Sequence, residues 1–340
     1  MQNRVRLLAV ILAVQLLLAG LLLSSGTDLR SDPDTGPLLS FDAAAVDGLT
    51  ITDGEGREAA LLHSDDAWRL ADGERLPADT ARVDALLERL AGLEPGLTVA
   101  TSEGARRRFK VADDDFERRI RLRAGDEIVA TLYLGTSEGV RRVHARNGTG
   151  DEIVTTALAP YEVSTEIDDW LDPTFLQVPE AEIAALEVNG LRLTRTAAAP
   201  ASATSEATEE ADAPDAEIGP EWSVTGLPDG AAPDPDAARR LVERIAELRV
   251  GGLLGTTERP AFGLDPPALA LSLELRDGRV LEYRFGKLED AEAGGDAYVL
   301  AVSSQREFFR IPTYSMRPVL DAAEPDALMI PAAGEDAASP

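Results

Sequence analysis

The feature that most constrains this fold is a long pattern that occurs twice in the chain. The first copy reads FKVADDDFERRIRLRAGDEIVATLYLG from Phe109 to Gly135, and the second reads FGLDPPALALSLELRDGRVLEYRFG from Phe262 to Gly286. Each copy contains two stretches of alternating apolar and polar residues around a turn, which is typical of a β-hairpin with one buried face. The repeat predicts two similar modules.

Matched positions extend beyond the hairpins. Ile120 matches Leu273 at an offset of 153 residues, and after the turn Leu132 matches Tyr283 at an offset of 151. Upstream, each copy has one amphipathic helix preceded by an aspartate that can cap it. The apolar positions of these helices match at a constant offset of 155 and are Val83, Leu86, Leu87, Leu90 and Leu93 in the first copy and Ala238, Leu241, Val242, Ile245 and Leu248 in the second.

The repeat predicts an α+β fold, built by tandem duplication of a module with a mainly antiparallel sheet and one long plus one short helix per copy. Residues 1–26 are predicted to be an N-terminal membrane anchor or signal, and the two repeats to span 45–172 and 180–326. The second repeat contains an acidic insertion at 197–221, which is predicted to be disordered because it combines low hydrophobicity with net charge. A disordered tail is predicted at 327–340.

The N-terminal segment gives a prediction of localisation. Arg4 and Arg6 precede an apolar run from Leu7 to Leu23, which has the length of a short membrane span or of a secretory signal. Basic flanks stay in the cytoplasm, so the sequence predicts a single-pass inner-membrane protein whose C-terminal body lies in the periplasm. A retained anchor needs only the length of the run, whereas Ser24 and Gly26 suit a cleavage site, and both alternatives remain open.

Composition excludes several classes of partner and cofactor. The chain has 33 Lys and Arg against 61 Asp and Glu, a formal net charge of -28, which repels the phosphates of nucleic acids. Because the chain contains no Cys, it can have no thiolate nucleophile, iron–sulfur cluster, Cys-based zinc site or lipoprotein anchor. No cofactor is predicted.

One region departs from the general acidity. Residues 106–146 contain eleven basic and seven acidic residues. Within it Arg119, Arg121 and Arg123 alternate with aliphatic residues, so the three arginines are expected to line one face of a strand. Two interpretations remain: a solvated sheet face balanced by neighbouring carboxylates, or a binding surface for an acidic partner or for the second copy.

Other polar residues do not form a recognisable catalytic or metal-binding pattern. The acidic run Asp113 to Asp115, with Glu117, suggests a cation loop by composition, but it lacks the Gly and the distal Glu of an EF-hand. His63 and His144 have no acidic partner at a spacing typical of a metal site or a triad. The chain is therefore not expected to be an enzyme, with an envelope hydrolase that uses carboxylates as the alternative.

The segment Gly263, Leu264, Asp265, Pro266 and Pro267 is predicted to be a structural motif. Gly permits an unusual backbone conformation, and the two prolines favour an extended chain into the next strand.

These residues resemble a known family. A Trp before each Asp-led helix, FGLDPP, the later YRFG and AYVLAV, and the N-terminal anchor together resemble the bacterial domain-of-unknown-function family 4340. FGLDPP is the most specific piece, and the first copy departs from it by reading FKVADDD. The resemblance implies a membrane-anchored accessory protein, with an ABC-2 type transporter permease and a gliding-type auxiliary subunit as partners. It implies no enzymatic activity.

Overall fold

The computed structural model describes residues 36–71, 75–137, 139, 141–196, 222–289 and 297–330, together with residue 15. The apolar run at 7–23, apart from residue 15, the acidic insertion at 197–221 and the tail residues 331–340 lie outside the described residues. Within the described ranges, no helix combines the length and the apolar character that a membrane span requires.

The described residues form sixteen strands and four α-helices. The strands of the first sheet are β1 (Gly48–Asp53), β2 (Glu58–Ser64), β3 (Ala67–Leu70), β4 (Thr98–Ala100), β5 (Arg118–Ala124), β6 (Glu127–Ser137), β7 (Val143–Asn147) and β8 (Ile153–Thr156). Those of the second are β9 (Ile183–Val188), β10 (Leu191–Arg195), β11 (Trp222–Thr225), β12 (Gly252–Leu253), β13 (Leu269–Leu275), β14 (Val280–Lys287), β15 (Ala297–Val302) and β16 (Phe308–Pro312).

The helices are shorter and fewer than the strands. The α-helices are α1 (Thr80–Ala91), α2 (Glu103–Arg108), α3 (Pro235–Ala246) and α4 (Thr313–Ala323). Single-turn 3₁₀ helices occur at Ala43–Ala45, Pro160–Val163, Ile167–Trp170, Glu180–Glu182, Pro260–Phe262 and Pro325–Leu328.

The two sheets have the same strand order. In the first the order is β3-β2-β1-β5-β6-β7-β8-β4, and in the second it is β11-β10-β9-β13-β14-β15-β16-β12. All described neighbours pair in antiparallel fashion. The fold is therefore mostly β, and the predicted α+β class is wrong. The error has a physical cause: β3, β4, β11 and β12 are two to four residues long, too short to show an alternating pattern.

The prediction of one long and one short helix per copy is also wrong. In the first copy the segment around Ile167–Trp170 is a 3₁₀ turn, and the short α-helix is α2, which shows no apolar periodicity. The Ser102 side chain caps α2 by accepting a hydrogen bond from the Ala105 amide at 3.4 Å, and arginines occupy its last turn, where they suit the helix dipole. In the second copy α4 is nearly as long as α3.

The amphipathic helices form as their sequences predict. The Asp79 carboxylate accepts a hydrogen bond from the Arg82 amide at 3.1 Å, and Asp234 accepts two from the first turn of α3, each at 3.0 Å. All ten matched apolar residues at the offset of 155 are buried. Capping and apolar periodicity therefore fix α1 and α3.

Two glycines mark equivalent positions in the sheets. A Cβ on Gly135 would lie 1.9 Å from the carbonyl oxygen of Phe109, and a Cβ on Gly286 would lie 2.0 Å from that of Phe262. The backbone of β6 thus lies in close contact with that of Phe109, and the backbone of β14 with that of Phe262. Each aromatic residue is followed by a residue with positive φ, Lys110 at 57° and Gly263 at 61°. These contacts support the offset of 151 for β6 and β14.

Strand register corrects one match. Leu132 pairs with Ile120, whereas Tyr283 pairs with Leu271, so the partner of Ile120 in the second copy is Leu271 rather than Leu273. The slip of two residues arises between Phe109 and β5, where the first copy has a longer connection than the second. A slip of two keeps every side chain on the same face, so the apolar pattern alone does not reveal it.

By density of internal contacts, the chain separates into two compact units. One comprises 1–63 and 84–165, and the other comprises 64–83 and 166–340. The second unit thus includes the segment 166–172, which sequence matching assigned to the first repeat. The repeat boundaries 45–172 and 180–326 stay a prediction.

Candidate functional site

Strand β5 presents its arginines on the face opposite its buried aliphatic residues. Ile120 and Leu122 are 1% exposed, whereas Arg119 and Arg121 are half-buried and Arg123 is exposed. We call Arg119, Arg121 and Arg123 the arginine row. The predicted alternation is therefore present, with the side chains of the row on one face of the first sheet.

The strands on either side of β5 leave room above the row. Arg121 lies between Thr50 of β1 and Thr131 of β6, which are its paired residues. Arg123 pairs with Gly48, and a Cβ on this glycine would lie 2.9 Å from the Arg123 Nε. Small neighbours thus let the guanidinium groups lie along the sheet.

The three guanidinium groups have different surroundings. The Arg119 Cζ lies 4.9 Å from the centroid of the Phe116 ring, and its Nε is buried without a hydrogen-bond partner. The Arg123 Nε lies 3.9 Å from a carboxylate oxygen of Asp47, beyond hydrogen-bond distance. Within the described ranges, Arg121 has neither an ion pair nor a side-chain hydrogen bond. The row retains positive charge and donor capacity that the described residues do not use.

The second sheet shows that the fold does not require these arginines. At the register-matched offset of 151, the row corresponds to Ala270, Ser272 and Glu274 of β13. Glu274 is paired there with Arg192 at 2.5 Å, so that strand carries an acidic residue with a basic partner. An identical strand topology therefore forms without a basic row. The arginine row is a specific property of the first copy.

The acidic run does not form a cation loop. Its three carboxylates bind three different cations: Asp113 pairs with Arg146, Asp114 with Arg107 and Asp115 with Lys110, at 2.5, 3.1 and 2.7 Å. The hydrogen bond from Arg146 is the main cause that lowers the pKa of Asp113. Among the described residues, no three His, Asp or Glu side chains converge as metal ligands would.

The two histidines lie apart from this cluster. His63 is exposed, whereas His144 is buried, with its Nδ1 3.0 Å from the Thr136 hydroxyl and its ring 4.3 Å from that of Phe109. The described contacts of His144 are with Thr136 and Phe109. The surroundings of the two histidines are those of a surface residue and a packed core residue.

The Gly263 to Pro267 segment leads into β13. Gly263 ends a 3₁₀ helix in the left-handed conformation, and Leu264 is buried in a cluster with Phe262 and Phe308. Asp265 and Pro266 are exposed, and the peptide bond between them is cis. The segment therefore contributes a backbone turn and one core side chain.

We expect Gly263→Val to destabilise the second unit by about 1–3 kcal/mol, because its φ is 61° and a Cβ would lie 2.6 Å from the Lys287 carbonyl oxygen. Asp265→Asn should leave stability nearly unchanged, since the side chain is exposed and Asn suits the same turn. Chemical denaturation of both variants measures the difference. Loss of cellular function in Asp265→Asn with unchanged stability would instead make this segment a functional site.

Sequence reasoning missed the residues that position the row. Phe116, which stacks under Arg119, belongs to the acidic loop, and Thr50 and Thr131 belong to strands distant in sequence. The signal available was the alternation GLTITD, whose threonines are expected on the same face as each other. Their location beside β5 depends on the strand order.

These observations define a class of protein with two antiparallel sheets of the same strand order, of which the first carries a row of arginines on one face. The chain belongs to the family Domain of unknown function (DUF4340), whose model matches residues 68–267. The family resemblance predicted from the sequence is thereby confirmed. No curated protein and no solved structure gave a match.

Proposed function

We propose that this protein is a non-enzymatic binding or scaffolding subunit that contacts an acidic partner surface through the arginine row. The single observation that carries the proposal is the row itself: three arginines on one sheet face, at positions where the second copy has Ala270, Ser272 and Glu274. The strand topology does not depend on them, because the second sheet has the same strand order without them.

The surroundings of the arginine row favour its binding to a partner carboxylate over a role as a solvated surface. A guanidinium that has no partner and lies on a flat sheet can donate paired hydrogen bonds to a carboxylate. Phe116 holds the Arg119 guanidinium in place, which reduces the entropy lost when a partner binds. Complementary charges of this kind contribute specificity and association rate more than affinity.

The cellular setting is part of the proposal. We propose that residues 1–26 anchor the chain in the inner membrane and that its body acts in the periplasm, as an accessory component of an ABC-type transporter. The basic flank and apolar run support the anchor, and the resemblance to the family supports the transporter permease and the gliding-type auxiliary subunit as partners.

The test is co-purification of the full chain with its membrane partners after cross-linking. The variant Arg119→Glu, Arg121→Glu, Arg123→Glu should reduce partner recovery about tenfold or more, because it reverses the charge of the surface. Arg121→Ala alone should reduce recovery several-fold, with a larger effect at low salt, since exposed charges are screened.

The matched control is Ser272→Glu, which places a negative charge at the position equivalent to Arg121 in the second copy. It should leave recovery unchanged. If the triple variant keeps its melting temperature and also keeps its partners, the arginine row is a solvated sheet face and the proposal is wrong.

A further inference from the structure

In the second unit, the segment around Asp168 and Pro173, which precedes β9, covers one edge of the sheet. The edge strand is β12. One carboxylate oxygen of Asp168 accepts a hydrogen bond from the Leu253 amide at 2.8 Å, and the other accepts one from the Arg310 guanidinium at 3.2 Å. Further along the segment, the carbonyl of Pro173 accepts a hydrogen bond from the Val250 amide at 2.8 Å. An acidic segment thus satisfies the outward amide of an edge strand and a basic side chain together.

The equivalent edge of the first sheet is β4. Gly96 and Gly251 are equivalent residues. The Gly96 amide donates to the carbonyl of Thr155 in β8 at 2.8 Å, and the Gly251 amide donates to the carbonyl of Arg310 in β16 at 2.7 Å. The offset of 155 makes Thr98 the counterpart of Leu253. Among the described strands, none pairs with β4 on its outer side.

The first edge also exposes apolar side chains. Leu97 is 82% exposed and Val99 is 41% exposed, on either side of Thr98. An edge strand with exposed aliphatic residues can pair with another chain. In the second copy the corresponding residues are Gly252 and Leu254, which are not exposed.

A cavity of about 420 Å³ lies beside this edge, within the first unit. Its lining includes Arg89, Glu94, Gly96, Arg142 and Thr155. The Arg142 guanidinium donates to the Thr155 hydroxyl at 2.6 Å, and Arg89 donates to the carbonyl of Ala157 and lies 3.9 Å from Glu162. Thr155 stands where the second copy has Arg310. Arg142, which directly precedes β7, supplies here the positive charge that Arg310 supplies in the second unit.

We propose that β4 and the adjacent cavity form a binding site for an acidic segment of a partner protein, with a partner carboxylate held by Arg89 and Arg142. The intramolecular contact of Asp168 in the second unit is the template for this binding mode. Leu97 and Val99 supply apolar contacts along the segment. This site is separate from the arginine row and goes beyond the proposed function.

The test uses the full chain and a labelled peptide with the sequence of residues 164–175, STEIDDWLDPTF, which contains the segment that covers the second edge. The matched control peptide has Asn in place of the aspartate that corresponds to Asp168. We expect saturable binding of the first peptide that weakens with salt, and binding of the control peptide weaker by about tenfold.

Variants of the protein locate the site. Arg89→Ala with Arg142→Ala should weaken peptide binding about tenfold or more, and Leu97→Glu should weaken it several-fold. Arg249→Ala, which removes an exposed arginine of the second unit, is the control and should have no effect. Each variant is checked by its melting temperature, and a variant that is destabilised is replaced by Arg142→Gln, which keeps hydrogen-bond donors without the charge.

Three outcomes would overturn the inference. One is absence of saturable peptide binding to the folded chain, and another is binding that the Arg89 and Arg142 changes leave intact. The third is binding that occurs only after Asp32→Asn and Asp34→Asn, two acidic residues that precede β1 in the sequence, because the chain's own segment would then be the occupant. The triple change in the arginine row should leave peptide binding unaffected, so the two proposals fail independently.

Discussion

Gly286→Ala should destabilise the second unit by about 3 kcal/mol or more. The added methyl group would collide with backbone atoms, which cannot move aside as a flexible side chain can. A Cβ at this position would lie 2.0 Å from the Phe262 carbonyl oxygen and 2.6 Å from the carbonyl carbon of Gly263. Either β14 or the turn after Phe262 must move, and this movement would disrupt the cluster that contains Leu264 and Phe308.

Gly135→Ala provides the same test in the first unit, because its Cβ would lie 1.9 Å from the Phe109 carbonyl oxygen. The measurement is denaturant unfolding of the full chain, in which each variant should lower the stability of its own unit. Gly104→Ala is the control: this glycine is in α2 with open space around its Cβ, so the change should be neutral or stabilising by up to about 1 kcal/mol. A loss below about 1 kcal/mol in Gly286→Ala would contradict the close approach.

Arg146→Ala should destabilise the first unit by about 2–4 kcal/mol, because it leaves backbone carbonyls without their hydrogen-bond donor. Arg146 is 2% exposed, and it donates to the carbonyl oxygens of Val111 and Gly150 at 2.8 and 3.2 Å and to Asp113 at 2.5 Å. Its Cζ lies 4.4 Å from the centroid of the Tyr133 ring.

The truncation would leave these carbonyls without a donor and would open a void beside Tyr133. Arg146→Met is the matched variant, because it restores volume but not the hydrogen bonds. It should lose less stability than Arg146→Ala. The difference between the two variants measures the contribution of packing, and the loss that remains in Arg146→Met measures that of the hydrogen bonds. Equal stability of Arg146→Ala and the wild-type chain, measured by urea denaturation, would show that the network is not required.

The second copy fills the same region differently. At the offset of 155, Ala301 takes the place of Arg146 and Val299 takes the place of His144. There Phe262, Val299 and Phe308 form an apolar cluster. One strand topology therefore accommodates a buried ionic network in one copy and a hydrophobic cluster in the other.

Several features were determined by the sequence alone. The period of the apolar residues and the capping aspartates specify α1 and α3, because a helix needs only local spacing and a local cap. The alternation around Arg121 specified which side chains share a face, since side chains alternate along every strand. The sequence also places a glycine at the end of each quoted repeat, Gly135 and Gly286, although it does not show the backbone contact that requires them.

Tertiary structure decided the rest, because it depends on contacts between residues distant in sequence. The register that equates Ile120 with Leu271 was hidden, since a slip of two residues conserves the apolar pattern. The mostly β class depended on strands of two to four residues, which form only when a neighbouring edge supplies hydrogen bonds. The separate cations of the acidic run and the position of β4 at a sheet edge likewise depend on tertiary contacts, which no local pattern encodes.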